Sequence, residues 1–66
     1  MIELTRLNDS KFMLNPDLIE IVEETPDTVV TLTTGKKIIV KENRQEVRNL
    51  VILFKQDIYK KILKDD

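Results

Sequence analysis

The side chains of this chain that could do chemistry are carboxylates and amines. Its 66 residues include 12 Asp and Glu and 11 Lys and Arg, but no His and no Cys. Nucleophilic catalysis therefore lacks its usual base, and a zinc site lacks its usual ligands. Glu23 and Glu24 are neighbours in a predicted strand, where their side chains point to opposite faces. The single glycine, Gly35, excludes a glycine-rich phosphate loop. We expect no enzymatic activity, no cofactor and no small-molecule substrate.

A group of basic residues raises the question of nucleic-acid binding. The net charge of −1 gives none of the basic surplus typical of proteins that bind a phosphate backbone. Of the three aromatic residues, two fall on a predicted helix, which leaves no stacking platform. A solvated rim that protects a sheet edge is the favoured interpretation, and nucleic-acid binding is the alternative. The basic residues are Lys36, Lys37, Lys41, Arg44 and Arg48.

The N-terminal sequence shows no signal-peptide pattern, because Met1 leads directly into an alternating segment without a basic stretch and an apolar core. The longest apolar run, residues 50–54, is too short to span a bilayer. With no cysteine to form disulfides, we expect a cytoplasmic protein.

Hydrophobic periodicity predicts an α+β fold. Short segments of two-residue alternation fill residues 1–41, and clusters of turn-forming residues separate them. One such cluster, residues 25–28, reads as a tight turn with Pro26 at its second position. From residue 43 the period changes to that of a helix. We expect one domain over residues 1–66. It comprises a small antiparallel sheet or partly closed β-meander of about five short strands (1–41), followed by one long C-terminal helix (43–64) packed on it.

The stretch "TLTTGKKIIV", residues 31–40, predicts a hairpin with a three-residue loop at 33–35. A two-residue loop would force the β-branched Thr34 to a positive φ, whereas the longer loop puts only Gly35 in the left-handed region. In this register Val30 faces Ile38 on the buried side. On the outer side Val29 faces Ile39, and Val22 of the preceding strand should join them. Single exposed apolar residues need no special role. A second contact surface at Val22, Val29 and Ile39 is the alternative.

The helix has two apolar stripes. Asn43 and Glu46 form a predicted capping box at its start. A helix of some twenty residues spans about 30 Å, longer than strands of about 17–20 Å, so its last turns should overhang the sheet. The stripe expected to lie on the sheet is Val47, Leu50, Val51, Phe54, Ile58 and Ile62.

Ile52, Tyr59 and Leu63 form the second stripe, which the core does not need. A chain this short has a small core, and with neither disulfides nor metals available, oligomerisation is its natural support. We therefore expect a homo-oligomer formed through the C-terminal helix. Cover of the overhanging turns by a neighbouring loop is the alternative. Peripheral membrane contact through the same three side chains is left open, although no concentrated basic face supports it.

Three segments of the chain resemble the FlbD family of flagellar and swarming motility proteins: "MIELTRLND", "FMLNPDLIE" and "ETPDTVVTLTTGKKIIVKE". The resemblance covers residues 1 to about 48. It implies an accessory protein at the inner face of the membrane near the flagellar base. There it would contact the motor or its stator complex, with no catalytic residues to carry over. The alternative is a small nucleic-acid-binding regulator of motility genes.

The chain departs from the family pattern at two turns, where the family tends to have Asn-Gly. The first turn here is Asn8-Asp9, and the later hairpin has Thr34-Gly35. Aspartate tolerates the left-handed region, so we expect the fold to be retained.

Overall fold

Over residues 1–64 the chain folds as five short strands followed by one long helix, which confirms the predicted α+β class. The computed structural model describes residues 1–64, with side chains described as far as Lys61. A 3-10 turn at Pro16–Leu18 separates the second and third strands. The elements are β1 (Ile2–Thr5), β2 (Lys11–Leu14), β3 (Ile19–Glu24), β4 (Thr28–Leu32), β5 (Lys37–Val40) and α1 (Arg44–Lys64).

Two antiparallel sheets meet between β1 and β5. β1 pairs with β2, and β3, β4 and β5 form the second sheet in that order. A bridge between Arg6 and Val40 joins the sheets. Beside this bridge the Lys41 N–H donates a hydrogen bond to the Thr5 carbonyl at 2.8 Å. The result is a partly closed meander.

The β4–β5 hairpin has the predicted three-residue loop. Gly35 lies at φ +91°, and its N–H donates to the Leu32 carbonyl at 2.8 Å. Val30 pairs with Ile38, as predicted.

The β1–β2 connection repeats the same loop with aspartate in the glycine position. The Asp9 N–H donates to the Arg6 carbonyl at 2.9 Å, and the Arg6 N–H donates to Ser10 at 2.8 Å. Asp9 lies at φ +69°, in the left-handed region. Asn8 accepts a hydrogen bond from the Ser10 N–H at 3.0 Å through its side chain, which stabilises the turn. The chain therefore keeps the fold without Asn-Gly here, as expected.

The register of β3 corrects one expectation. Val22 pairs with Val30 and packs against the core, so the prediction that it faces outward is wrong. A tight turn at residues 25–28 would have paired Thr25 with Thr28. The loop instead contains three residues and pairs Glu24 with Thr28. A shift of one residue turns every side chain of a strand to the other face.

The core is small and draws on both sheets and the helix. Leu4, Val30 and Val40 are fully buried, and α1 adds Val47. Partly buried residues surround these, among them Leu50, Val51 and Phe54 of the helix, Phe12 of β2 and Ile38 of β5.

The helix begins with the predicted capping box. The Asn43 side chain accepts from the Glu46 N–H at 2.8 Å, and the Glu46 carboxylate accepts from the Asn43 N–H at 3.3 Å. A third contact comes from the end of β3, where the Glu24 carboxylate accepts from the Arg44 N–H at 2.7 Å. These bonds satisfy donors that a helix start leaves without intrahelical partners.

The second half of α1 overhangs the sheet, as its length predicted. Every residue from Lys55 to Lys61 is exposed. Ile58 was expected on the sheet but is 42% exposed, because the sheet ends before the helix reaches it. The side chain of Ile62, also expected there, lies outside the described residues.

Candidate protein-contact surfaces

The helix face predicted for oligomer contact is exposed in the structure. Ile52 is 37% exposed and Tyr59 is 63% exposed, and both line one shallow groove along α1. Seven positions separate them, so they lie about two turns apart on the same side of the helix. Lys55, Gln56 and Lys60 complete the groove. Leu63, the third predicted contact residue, has its side chain outside the described residues.

This helix face combines apolar area with positive charge. Lys55 and Lys60 flank the exposed apolar side chains, and their long stems can cover apolar surface while the ammonium groups stay in water. Tyr59 offers a large apolar ring with a hydroxyl that can find a polar partner, a combination enriched at protein interfaces. The face could therefore bury apolar area against another protein surface.

Two exposed apolar residues of the helix were missed by the sequence analysis as contact residues. Leu53 is 61% exposed and lies outside both apolar stripes. Ile58 is exposed because it lies in the overhang. The length of the helix relative to the strands was the signal that could have identified Ile58, whereas no periodic signal marks Leu53.

The outer face of the β3–β4–β5 sheet carries a smaller apolar group. Val29 and Ile39 lie opposite each other, as predicted, and Ile39 is 46% exposed. Val22 does not join them. Ile21, also 46% exposed, takes its place on this face, diagonal to Val29, while Glu23 pairs directly with Val29. The interleaved charge makes this face the weaker candidate for a contact surface.

A second groove, of about 450 Å³, lies between the β1–β2 turn and the start of β5. Residues 6–8 form one wall and residues 36–39 the other. Lys36 and Lys37 were predicted as part of a basic rim, but Arg6 and Leu7 were not connected with them, because the turn is about thirty positions away in sequence. Arg6 holds its guanidinium 4.2 Å above the centre of the Phe12 ring, a cation–π contact.

One residue of the predicted basic rim has its charge offset by an acidic side chain. Lys41 forms an ion pair with Asp9 of the first turn, which offsets its charge. The contact of Arg44 with Glu24 is made by its backbone N–H, so it does not offset the charge of the Arg44 side chain. Lys36 and Lys37 of this rim lie in the second groove, where Arg6 adds a third positive charge. Within the described part of the chain, no helix has the length and apolar character needed to cross a membrane.

The fold and its surfaces define a small α+β protein whose exposed features suit binding to other macromolecules. A family model described as FlbD, flagellar and swarming motility proteins, matches residues 1–59. The chain belongs to this family. The match continues past the segments that carry the resemblance and includes Ile52 and Tyr59. Comparisons with curated proteins and with solved structures gave no match.

Proposed function

We propose that this chain is a non-enzymatic accessory protein of the bacterial flagellum that supports motor output by contact with the motor or its stator complex. Its place would be the cytoplasmic side of the membrane near the flagellar base. Family membership supports a role in flagellar or swarming motility. The finer role rests on the surface of the chain.

The observation that carries the proposal is the helix overhang. Residues 55–61 are all exposed. Tyr59 within this overhang and Ile52 just before it present apolar area on one side of the helix. Apolar side chains grouped on one exposed face can form a surface that another protein covers. Self-association through α1 belongs to the same proposal, because a second copy of the overhang would cover the first and add to a small core.

The absence of catalysis is also part of the proposal, and the placement of the acidic residues supports it. Nearly every acidic side chain described is exposed. Glu42 is partly buried, but Thr5 occupies both of its carboxylate oxygens. A carboxylate with both oxygens bound in this way is poorly placed to accept a proton from a substrate.

The test is a strain that lacks the gene, with filaments counted and the rotation of tethered motors timed on the same cells. Normal filament numbers with weak rotation would support a role at the motor. Unchanged motility would contradict the proposal, and so would missing filaments, because these point to assembly or gene control.

A nucleic-acid role is separated by a second measurement. Retention of the purified chain on RNA or DNA, falling steeply as salt rises, would support a regulator of motility genes. No retention at low salt is the expected result, because the net charge is −1 and Arg6 already covers a face of Phe12.

A further inference from the structure

The edge of β5 that faces away from β4 exposes part of its backbone. The Leu32 N–H donates to the Lys36 carbonyl at 2.8 Å, so these two residues form a hydrogen-bonded pair. Hydrogen-bonded and non-hydrogen-bonded pairs alternate along an antiparallel ladder. Thr31–Lys37 and Val29–Ile39 are therefore non-hydrogen-bonded pairs. It follows that the N–H and C=O groups of Lys37 and the N–H of Ile39 point away from β4.

β1 covers this edge only at the C-terminal end of β5, near Val40 and Lys41. The Lys41 N–H, which points the same way, donates to the Thr5 carbonyl at 2.8 Å. Arg6 then bridges to Val40, and at Leu7 the chain turns towards β2. On this edge no strand within residues 1–64 therefore pairs with β5 beside Lys37, and this position forms part of the second groove. An extended segment placed there would continue the line of β1 along β5.

The walls of the groove specify the chemistry of that segment. Three cations line it, Arg6, Lys36 and Lys37, and none of the described lining residues carries a carboxylate. Two apolar side chains flank it, since Leu7 is 48% exposed and Ile39 is 46% exposed. Strand addition to an open edge gains affinity from main-chain hydrogen bonds and specificity from alternate side chains.

We propose that the β5 edge beside Lys37 binds an extended segment of a partner protein in which acidic and apolar residues alternate. The segment adds as a short strand, and its backbone pairs with Lys37 and Ile39. Its carboxylates lie on the face of the sheet that carries Arg6 and Lys36, because alternate residues of a strand share one face. Its apolar residues contact Leu7 and Ile39.

A peptide fits this groove better than a nucleic acid does. Single-stranded nucleic acids need aromatic rings on which bases stack. One face of the nearby Phe12 ring is covered by Arg6. The unpaired N–H and C=O groups of β5, by contrast, match the backbone of another strand.

The experiment titrates the purified chain with a blocked hexapeptide of alternating valine and glutamate and follows backbone amide signals by NMR. The expected result is saturable shifts centred on Lys37, Ile39 and Leu7. The same peptide with lysine in place of glutamate should bind at least about tenfold more weakly, a loss of about 1.4 kcal/mol. A peptide N-methylated at alternate amides should also lose binding, because it cannot complete the ladder.

Variants locate the site. Lys36→Glu with Lys37→Glu should weaken binding of the glutamate peptide by about tenfold or more. The matched control is Arg48→Glu with Lys61→Glu, which changes the net charge equally on exposed helix positions and should retain most of the affinity.

Three results would overturn the proposal: shifts centred elsewhere, equal binding of the N-methylated peptide, or equal binding of a uridine oligonucleotide, which would indicate a general polyanion site. The inference rests on the proposed function in that the chain acts by protein contact. The titration needs no flagellum, however. Peptide binding with unchanged motility would contradict only the motor role, and a motor defect without peptide binding would contradict only this site.

Discussion

The carboxylate of Glu42 binds Thr5 at two atoms. It accepts a hydrogen bond from the Thr5 N–H at 2.9 Å and another from the Thr5 hydroxyl at 2.8 Å. Thirty-seven positions separate the two residues. Glu42 follows β5 and Thr5 ends β1, so this contact holds the two sheets together next to the bridge between Arg6 and Val40.

Replacement of Glu42 by glutamine tests this contact. Partial burial raises the pKa of the Glu42 carboxyl, but the hydrogen bonds from Thr5 outweigh it and hold the pKa below its usual range. A lowered pKa stabilises the fold above the usual glutamate range, and this stabilisation is lost as pH falls through the folded value. Glu42→Gln should therefore lower the free energy of unfolding at neutral pH by about 1 kcal/mol, a modest value because solvent reaches the site.

The measurement is urea unfolding of both proteins over a series of pH values. The difference between them should shrink as the solution becomes more acidic. Glu20→Gln, at an exposed position of β3, is the control and should change little. A difference that stayed constant down to the lowest pH would show that the charge of Glu42 contributes nothing.

The two similar turns make a prediction about backbone conformation. A Cβ added at Gly35 would meet no atom within 4 Å, so Gly35→Ala should cost about 1 kcal/mol through its φ of +91° alone. At Asp9, with φ +69°, glycine should be more stable than alanine by a similar amount. Both Asp9 variants lose the ion pair with Lys41. The difference between their free energies of unfolding therefore measures only the cost of placing alanine at a positive φ.

Thermal or urea unfolding of the three variants provides the measurement. Equal stability of the Asp9→Gly and Asp9→Ala proteins would mean that residue 9 is not held in the left-handed region.

The register of β3 predicts a large loss of stability at one residue and almost none at its neighbour. Val22 packs against the core, so Val22→Ala should lower the free energy of unfolding by about 1–2 kcal/mol. Ile21 is 46% exposed on the outer face, and Ile21→Ala should change it by no more than about 0.5 kcal/mol. Urea unfolding measures both. A larger loss of stability for Ile21→Ala than for Val22→Ala would instead indicate a tight turn at residues 25–28, in which Val22 faces outward.

Features fixed by short-range chemistry could be predicted from the sequence. Gly35 had to take the positive φ because Thr34 could not, and that choice set the β4–β5 register. Asn43 and Glu46 bind each other across one helical turn. The overhang could be predicted from length alone, because a 21-residue helix is longer than the strands on which it packs.

Features that depend on a choice between turns, or on distant parts of the chain, could not be predicted. Residues 25–28 fit both a two-residue and a three-residue loop, and the wrong choice placed Val22 outside. The contact between Thr5 and Glu42 joins the two ends of the meander, and no local pattern marks it. The groove at β5 likewise requires knowing that β1 turns away at Leu7.

Self-association through α1 is tested at Tyr59. Tyr59 is 63% exposed and makes little contribution to the core, so Tyr59→Glu should leave the stability of the monomer nearly unchanged. A charge placed in an apolar interface, however, is costly unless it finds a partner. If α1 forms the interface, sedimentation should show an oligomer for the natural chain at high micromolar concentration and a monomer for the variant.

The matched control for Tyr59→Glu is Leu53→Glu, which places the same charge at an equally exposed position, 61%, on another side of the helix. The control should remain an oligomer. A natural chain that sediments as a monomer would contradict the proposed self-association, and loss of the oligomer only in the Leu53 variant would move the interface to that side of α1.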